Sequence, residues 1–195
     1  MKLTNLKTKY LGRDFIFYNQ IDSTQNEIFR RIENNNIKNG TLVMADIQTN
    51  GKGTHGRIWH TNETQNIAFS FYIEVNCSPQ KLEGVTIEVA KIIVEIFKLK
   101  YNINLNIKEP NDITYNGKKI GGILTQSKII AKNVKFLVIG IGINTNQTVF
   151  LDDIKDIATS IKKETGIDID REKIISEFCN RFEKILKTRI LKNED

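Results

Sequence analysis

One short loop of this 195-residue chain combines glycines and cations in a way that suits phosphate chemistry. The stretch GKGTHGR contains Gly51, Gly53 and Gly56 within six positions, with Lys52 and Arg57 beside them. Glycines let backbone N–H groups approach a ligand closely, and the two cations add the charge that phosphate binding uses. The stretch therefore predicts a loop that contacts a phosphate-bearing ligand.

The glycine spacing matches two phosphate-binding patterns, but the surrounding sequence fits neither of them. In a dinucleotide-binding fold, G-x-G-x-x-G opens a helix, whereas RIWHTNETQN carries turn formers and no helical apolar stripe. A phosphate loop, G-x-x-x-x-G-K-[ST], requires lysine and then serine or threonine, and the chain has Arg57 and Ile58 there. By itself, the loop is better explained as a flexible surface turn.

Other segments place lysines, asparagines and glycines at the ends of expected strands. In KEPND, Lys108 ends an expected strand and is followed by a turn at Pro110. The segments KIGGIL and GIGIN add Lys119, Gly122 and Asn144. Binding residues are commonly carried on loops that a rigid scaffold holds in place. These loops together predict one cleft that binds a small polar ligand and a nucleotide.

The elements expected to position these loops are a mixture of strands and helices. Apolar patterns predict strands in DFIFYNQI, TLVMADI, NIAFSFYIEV, INLNIK and NVKFLVIGIGINTN. Asn116-Gly117, the strongest short turn signal, predicts a hairpin in DITYNGKKIGGILTQSKI. Helices are expected after a capping box formed by Thr24 and Glu27, from Pro79 onward, and in REKIISEFCNRFEKIL. Strands joined by hairpins, with helices between some of them, indicate an α+β fold.

Composition and charge exclude several classes of protein. The length predicts a single domain over residues 1–195, and 39% hydrophobic with 27% charged residues is typical of a soluble globular protein. No apolar run reaches the roughly 20 residues of a membrane span and no secretion signal stands at the N-terminus, so a cytoplasmic protein without membrane attachment is expected. Cys77, Cys179, His55 and His60 lack ligand spacing, so neither a disulfide framework nor a metal site is expected.

The net charge of +6 lies entirely before residue 151. Such a surplus can attract nucleic acid, ATP or an acidic protein partner. The chain has no block of like charges and no interleaving of aromatic and basic residues of the kind that single-strand binders use. Nucleic-acid binding is therefore not required by the charge.

Five motifs, in the same order, resemble the biotin protein ligase family, the biotin–[acetyl-CoA-carboxylase] ligases. The family patterns are D-S-T-N, G-R-G-R-x-G-R-x-W, K-W-P-N-D, K-x-x-G-I-L and G-x-G-I-N, and here they read DSTQN, GKGTHGRIW, KEPND, KIGGIL and GIGIN. The resemblance implies a class II synthetase-like catalytic domain with a mixed, largely antiparallel sheet packed against helices. It also implies activation of biotin by Mg²⁺-ATP to biotinyl-5′-adenylate, and transfer of biotin to a lysine of a biotin carboxyl carrier protein domain.

The resemblance assigns expected roles to the matching positions. Lys108 is expected to bridge the biotin carboxylate and the α-phosphate as the central catalytic residue, with Lys52 and Arg57 as further catalytic cations. The residues expected to contact biotin are Ser23, Thr24, Gln25, Gln48, Lys52, Gly53, Thr54, Lys108 and Gly122. Those expected to contact the nucleotide are Arg57, Trp59, Asn111 and Asn144, and no residue is expected to bind a metal directly.

Simpler explanations stand beside these roles. On spacing alone, Thr24 is better explained as a helix cap, and Lys108 could be an ordinary exposed lysine. Trp59 could pack in the core, and Asn111 with Asp112 could only shape the turn after the proline. Residue types and spacing leave these alternatives open.

The chain also departs from the family pattern. Lys52 replaces the first arginine of the loop and loses its bidentate fork, Thr54 stands where a second arginine is usual, and Glu109 replaces a tryptophan. These changes predict weaker retention of the adenylate, with leakage onto bystander lysines, or an altered substrate. The N-terminal DNA-binding module and the C-terminal β-barrel of the family are not recognisable in the sequence, so DNA binding is not expected. The sequence is compatible with either a monomer or a homodimer.

Two other functions fit the same features. A lipoate–protein ligase shares the implied fold and acyl-adenylate chemistry, and a non-catalytic protein could bind biotin or a carrier domain. A ring-sized polar pocket near Ser23 and Gln48 would favour biotin, whereas a long apolar tunnel would favour lipoate. Biotin-dependent exchange of pyrophosphate into ATP would separate the ligase from the binder.

Overall fold

The computed structural model describes residues 2–61 and 65–190. Its seven strands form one sheet in the order β1-β2-β3-β7-β6-β5-β4, in which β1 and β2 are parallel and all other neighbours are antiparallel. The strands are β1 (Phe15–Ile21), β2 (Leu42–Gln48), β3 (Ile67–Cys77), β4 (Asn106–Lys108), β5 (Asp112–Tyr115), β6 (Lys118–Ile130) and β7 (Asn133–Ile143). The helices are α1 (Thr24–Glu33), α2 (Val85–Tyr101), α3 (Ile161–Thr165) and α4 (Arg171–Ile185). The expected α+β fold with a mixed, largely antiparallel sheet is confirmed.

Side chains alternate between the two faces of the sheet along each strand, so both faces need to be covered. Different helices cover the two faces. On one face Phe71 of β3 packs against Phe178 and Phe182 of α4, with ring centroids 5.7 and 5.3 Å apart, and the same large core contains the apolar side of α2. On the other face Tyr72 packs with the apolar side of α1 in a smaller core. The sheet is therefore the middle layer, and α1 is separated from α2 and α4 by it.

Two expected helix starts are wrong. Ser23 rather than Thr24 caps α1, since its hydroxyl accepts the Asn26 N–H at 3.4 Å, and Glu27 pairs with arginines of the same helix instead of returning to the cap. The long helix expected from Pro79 is interrupted. A short 3-10 helix, Pro79–Leu82, is followed by a left-handed glycine, and α2 begins only after it. A residue with positive φ cannot continue a right-handed helix.

The strand expected in INLNIK is shorter than its apolar alternation indicates. Only Asn106–Lys108 pair with β5, while Ile103 and Leu105 are buried in the core without joining the ladder. The hairpin turn at Asn116-Gly117 is confirmed, with positive φ at both residues. Both cysteines are free and buried, as expected. Within the described ranges no helix is long and apolar enough to cross a membrane.

A buried carboxylate fixes the N-terminal segment to α4. The Glu183 side chain accepts the backbone N–H groups of Lys9, Tyr10 and Leu11 at 2.8, 3.1 and 3.0 Å, and pairs with Lys187 at 2.6 Å. Burial raises the pKa of the Glu183 carboxyl, but the lysine and the three N–H donors outweigh burial and lower that pKa to about 2. The carboxylate therefore holds two distant parts of the chain together while it is ionised.

Candidate functional site

The expected site residues surround two adjoining hollows at one end of the sheet. The C-terminal ends of β2, β5 and β7 and the N-terminal ends of β3 and β6 all lie there, because neighbouring strands in this part of the sheet are antiparallel. The inner pocket has a volume of about 40 Å³ and is bounded by Thr24, Gln25, Gln48, Ser70 and Gly140, among others. The outer cleft has a volume of about 470 Å³ and is bounded by Arg57, Lys108, Asp112, Asn144 and Ala158, among others. The residues that line both hollows are Gly53, Thr54, Trp59 and Lys119.

Polar side chains from three elements meet in the inner pocket. The first turn of α1 supplies Thr24, whose backbone N–H donates to Gln48 Oε1 at 2.8 Å at the end of β2. The Thr24 hydroxyl lies 2.8 Å from the Ser70 hydroxyl of β3, and both residues are buried. Buried polar groups are normally hydrogen-bonded, and these form a connected set. Sequence reasoning did not select Ser70, although a lone serine inside the apolar run AFSFY was the available signal.

Gln25 lines the inner pocket, but its amide is engaged by the protein. Its Oε1 accepts the Ser70 hydroxyl at 3.0 Å, and its Nε2 donates to Gln126 Oε1 at 3.0 Å and to the Val138 carbonyl at 3.4 Å. A Cβ at Gly140 would lie 2.4 Å from Gln25 Oε1, so a larger residue there would make the Gln25 amide shift. With glycine at this position, the amide is held by its hydrogen bonds to the protein.

Trp59 and Lys119 form the boundary between the two hollows. The indole of Trp59 lies on β7, where a Cβ at Gly142 would come within 2.4 Å of the ring. Its Nε1 is buried and has no hydrogen-bond partner in the described part of the chain. The Lys119 ammonium pairs with Asp112 at 2.6 Å and lies 5.9 Å from the centroid of the indole ring. Sequence reasoning noted Lys119 within KIGGIL but gave it no role, and Asp112 is more than a turn former.

The glycine loop folds back on itself as a small hairpin. The Gly53 N–H donates to the Arg57 carbonyl at 2.8 Å, and Lys52 pairs with Ile58 in an antiparallel bridge. The hairpin itself thus uses the Gly53 N–H, and the expected contact between Gly53 and biotin stays a prediction. Among the other loop residues, Lys52 and Thr54 line the inner pocket and Arg57 lines the outer cleft.

Lys108 lies at the exposed end of β4 and lines the same outer cleft as Arg57 and Gly53. The sequence expectation that the KEPND lysine and the glycine loop share one crevice is therefore met. Within residues 2–61 and 65–190, no carboxylate, including Glu109, forms an ion pair with Lys108, Lys52 or Arg57. Among the described residues, an anionic ligand would therefore meet these three cations without displacing a carboxylate.

The two asparagines expected at a nucleotide lie in different places. Asn111 lines the inner pocket, and its amide donates to the Ile123 carbonyl at 3.2 Å, which fixes the turn between β4 and β5 against β6. Asn144 lines the outer cleft just beyond β7, and its amide donates to the Thr159 carbonyl at 3.1 Å. Both side-chain amides are thus hydrogen-bonded to backbone carbonyl groups of neighbouring segments. Of the two, Asn144 borders the hollow that is large enough for a nucleotide.

The described residues offer no ready-made metal site. They contain no group of three or more histidine, cysteine or acidic side chains arranged to hold a metal ion. The outer cleft includes two carboxylates, Asp112 and Asp156, the first of which is paired with Lys119. Mg²⁺ usually keeps several waters and relies on substrate phosphates rather than on an all-protein cage. This donor set therefore fits an ion that arrives on a nucleotide.

Comparisons with known proteins place the chain among acyl-protein ligases. The model of the biotin/lipoate A/B protein ligase family matches residues 17–144. The bifunctional ligase/repressor BirA of Bacillus subtilis is 39% identical over 181 residues, which make up 92% of this chain and 55% of that protein. The human biotin–protein ligase is 26% identical over 193 residues, which are 94% of this chain and 26% of that protein. This chain spans about half the length of the bacterial relatives.

Solved structures agree with the sequence comparisons. The biotin protein ligase from Aquifex aeolicus in complex with biotin and ATP is 29% identical, with a TM-score of 0.72 over 92% of this chain and 74% of that chain. The R40G mutant of the same ligase, in complex with biotin, is 30% identical with a TM-score of 0.76 over 93% of this chain and 73% of that chain. The sheet and helices described above are thus those of a known catalytic fold.

Proposed function

This chain belongs to the biotin/lipoate A/B protein ligase family, and we propose that it is an ATP-dependent ligase that activates biotin as biotinyl-5′-adenylate and transfers it to a lysine of a biotin carboxyl carrier protein domain. The observation that carries the proposal is the junction of the two hollows. A buried pocket with fixed hydrogen-bonding groups opens onto a larger cleft lined by cations, and Trp59 and Lys119 border both. Such a site suits a ligand that is neutral at one end and anionic at the other.

In this proposal the ureido ring of biotin occupies the inner pocket and its carboxylate reaches the junction. Thr24 and Gln48 meet the ring, with Ser23 capping the helix that carries the threonine. The pocket volume of about 40 Å³ is small beside the roughly 300–1,000 Å³ of ordinary ligand sites. In the proposal, the glycine loop shifts to admit the ring, as loops over the ligand sites of other enzymes do.

ATP occupies the outer cleft in the same proposal. Arg57 and Lys108 are placed to meet its phosphates, and Asn144 borders the far side, where we place the adenine. A Mg²⁺ ion carried by the triphosphate would neutralise part of its charge, and the carboxylates of Asp112 and Asp156 in the same cleft could meet it. The relative from Aquifex aeolicus, whose structure is in complex with biotin and ATP, supports the pairing of these two ligands.

The first chemical step joins the two ligands. A biotin carboxylate oxygen attacks the α-phosphorus of ATP, the bond between that phosphorus and the bridging oxygen breaks, and pyrophosphate leaves. Two anions must approach each other, and fixed cations at the junction lower the cost of that approach. Lys108 and Lys119 are the ammonium groups that we place beside the reacting atoms, with Lys52 and Arg57 as further cations on the glycine loop.

The second step transfers biotin to a carrier protein. The uncharged ε-amine of a carrier lysine attacks the carbonyl carbon of the mixed anhydride, a C–N bond forms, the C–O bond to AMP breaks, and the amine loses a proton. The outer cleft is open to solvent, which gives the incoming lysine a route to the junction. The carrier is thus the proposed protein partner.

The polarity of the inner pocket favours biotin over lipoate. The polar groups that line it include two hydroxyls and two amides, from Thr24, Ser70, Gln25 and Gln48. A dithiolane ring offers no N–H or carbonyl group to satisfy them, and a polar group left without a partner costs about 1–3 kcal/mol. We therefore place lipoate second as a substrate.

The test is exchange of labelled pyrophosphate into ATP by the purified protein, with biotin, lipoate or no acid added. The proposal predicts exchange that depends on biotin and is at most weakly supported by lipoate. A protein that only binds biotin gives no exchange while still showing a biotin-dependent rise in melting temperature, and that outcome would refute the proposed reaction.

A further inference from the structure

Four side-chain oxygen atoms form a chain along the part of the inner pocket that does not border the outer cleft, which we call its closed end. In order they are Gln25 Oε1, Ser70 Oγ, Thr24 Oγ1 and Gln48 Oε1, and the successive separations are 3.0, 2.8 and 3.1 Å. The two amide oxygens at the ends can only accept hydrogen bonds, and each hydroxyl carries one hydrogen. Three short contacts are thus served by two hydrogens, and one contact must lack a hydrogen bond.

The orientation of the Gln25 amide decides the direction of this chain. Its Nε2 faces the Val138 backbone carbonyl at 3.4 Å as well as Gln126 Oε1 at 3.0 Å. A backbone carbonyl is an acceptor in every circumstance, so the nitrogen of the amide must point toward it. The oxygen of Gln25 consequently points toward Ser70 and requires the hydrogen of that hydroxyl.

The remaining hydrogen then has one best position. Once Ser70 donates to Gln25, the shortest contact, between Ser70 and Thr24, is hydrogen-bonded only if Thr24 donates. Gln48 Oε1 does not need the Thr24 hydroxyl because it already accepts the Thr24 backbone N–H at 2.8 Å. Thr24 Oγ1 and Gln48 Oε1, 3.1 Å apart, are then two acceptors side by side on the pocket wall.

We infer that Gln25 is a positioning residue that makes the closed end of the inner pocket an acceptor of hydrogen bonds, so that a bound ligand must present an N–H group there. This inference rests on the proposed function, in which the ligand is biotin, and it names the ureido N–H as the group that is selected. Gln25 acts through Ser70 and Thr24 and does not touch the ligand with its amide.

Glycine at position 140 maintains this arrangement. A Cβ there would lie 2.4 Å from Gln25 Oε1 and 3.2 Å from Ser70 Oγ, so any other residue would displace the amide oxygen from the serine. If the amide turned over, its nitrogen would donate to Ser70, both hydroxyls would reverse, and Thr24 would become a donor. The same side chains would then select a ligand carbonyl instead of an N–H group.

The experiment is a cycle between the protein and the ligand. Calorimetry measures the binding of biotin and of two derivatives, each methylated at one ureido nitrogen. The proteins compared are the native protein, Gln25→Met and Gln20→Met. The last of these is a matched change at an exposed glutamine of β1. In the native protein one of the two methylations weakens binding about 30-fold, as expected for a buried acceptor that loses its donor. In Gln25→Met the hydroxyls of Ser70 and Thr24 are free to reverse the direction of their hydrogen bonds. Biotin therefore binds about 10-fold more weakly, and the same methylation weakens binding only about 3-fold. Gln20→Met matches the native protein.

A second variant keeps the test independent of the folding of the first. Ser70→Ala leaves Gln25 intact but interrupts the chain, so it should reduce the methylation penalty as Gln25→Met does. A purely structural role for Gln25 would leave the penalty at its native size. Equal penalties in the native protein and both variants would overturn the inference, whereas a native protein that fails to bind biotin would overturn the proposed function instead.

Discussion

The inner pocket and the outer cleft use opposite physical strategies. In the inner pocket, Thr24, Gln25 and Ser70 are at most 3% exposed and are hydrogen-bonded to one another. In the outer cleft, Arg57 and Lys108 are exposed and form no ion pair within the described residues. The polar groups of the inner pocket are fixed by hydrogen bonds before any ligand binds, whereas the cations of the outer cleft are exposed to solvent.

The difference follows from what each region is proposed to bind. A neutral ring gains little from charge, and its recognition depends on polar groups whose directions are fixed, because an unmatched buried group is costly. A triphosphate is attracted by cations over several ångströms, and these need no fixed partner. Changes in the inner pocket should therefore alter biotin affinity and stability together, whereas changes in the outer cleft should alter the reaction rate without destabilising the fold.

The largest effect is expected from Lys108→Met in the outer cleft. Removal of a cation beside the reacting phosphate should lower the maximal rate of pyrophosphate exchange by about 10²–10³-fold. Biotin affinity should change by less than about 3-fold and the melting temperature should stay the same, because the ammonium is exposed and has no described partner. Lys128→Met, at an exposed position of β6, is the matched control. A variant that retains the native exchange rate would remove Lys108 from the reaction.

A change remote from both hollows should affect stability alone. Glu183→Gln should lower the free energy of unfolding at neutral pH on the order of 3 kcal/mol, since it removes a buried charge that three backbone donors and Lys187 surround. The exchange rate at a temperature where the variant is folded should be native. Denaturant unfolding and exchange on the same sample separate the two quantities.

The same carboxylate predicts a pH dependence. Its pKa is about 2 in the folded chain, below its ordinary value of 4.5. The native protein therefore has the full contribution of Glu183 above about pH 4.5 and loses it as the pH falls toward 2. The difference in unfolding free energy between the native protein and Glu183→Gln should shrink over this range. A constant difference would contradict the assigned role.

An intermediate effect is expected in the inner pocket. Thr24→Val keeps the shape of the side chain but removes the hydroxyl that neighbours Ser70 and Gln48. Biotin should bind about 10-fold more weakly, and the melting temperature should also fall, because a buried hydrogen bond is lost. The exchange rate at saturating biotin should stay within about 3-fold of native. Thr4→Val, at an exposed position, is the control, and a selective loss of maximal rate would contradict the division between the two regions.

The smallest effect is expected where the regions meet, at Thr54. An arginine at this position would add a cation on the wall that both hollows share. Thr54→Arg should slow release of preformed biotinyl-adenylate by about 5-fold, since a partly exposed charge contact contributes about 1 kcal/mol. Labelling of bystander lysines should fall in parallel. If the adenylate leaves the native protein no faster than it leaves the variant, Thr54 does not weaken retention.

Local patterns in the sequence predicted most of the fold. Apolar alternation and the Asn116-Gly117 turn are local signals, and they gave the strands of the central sheet and the hairpin between β5 and β6. The errors occurred where contacts distant in sequence override a local pattern. Thr24 has the spacing of a helix cap, but its hydroxyl is directed into the sheet toward Ser70, and Ser23 takes the cap.

The sequence predicted the residues of the site about as completely as it predicted the fold. Lys108 and Arg57 were selected because motifs fix their residue types, and the structure brings them to the same cleft. Ser70 and Gln126 were missed, because a single polar residue in a strand shows no sign of its partner until the neighbouring strands and α1 are in place. The direction of a hydrogen bond depends on a backbone carbonyl in β7 and cannot be read from spacing.

The account is tested most directly by a crystal structure of the protein with biotin and a non-hydrolysable ATP analogue. It predicts a ureido nitrogen within about 3 Å of Thr24 Oγ1 or Gln48 Oε1, with the biotin carboxylate and the α-phosphate meeting beside the ammonium groups of Lys108 and Lys119. A biotin bound with its carboxylate at the closed end, or a triphosphate bound away from the cleft that contains Lys108, would contradict it.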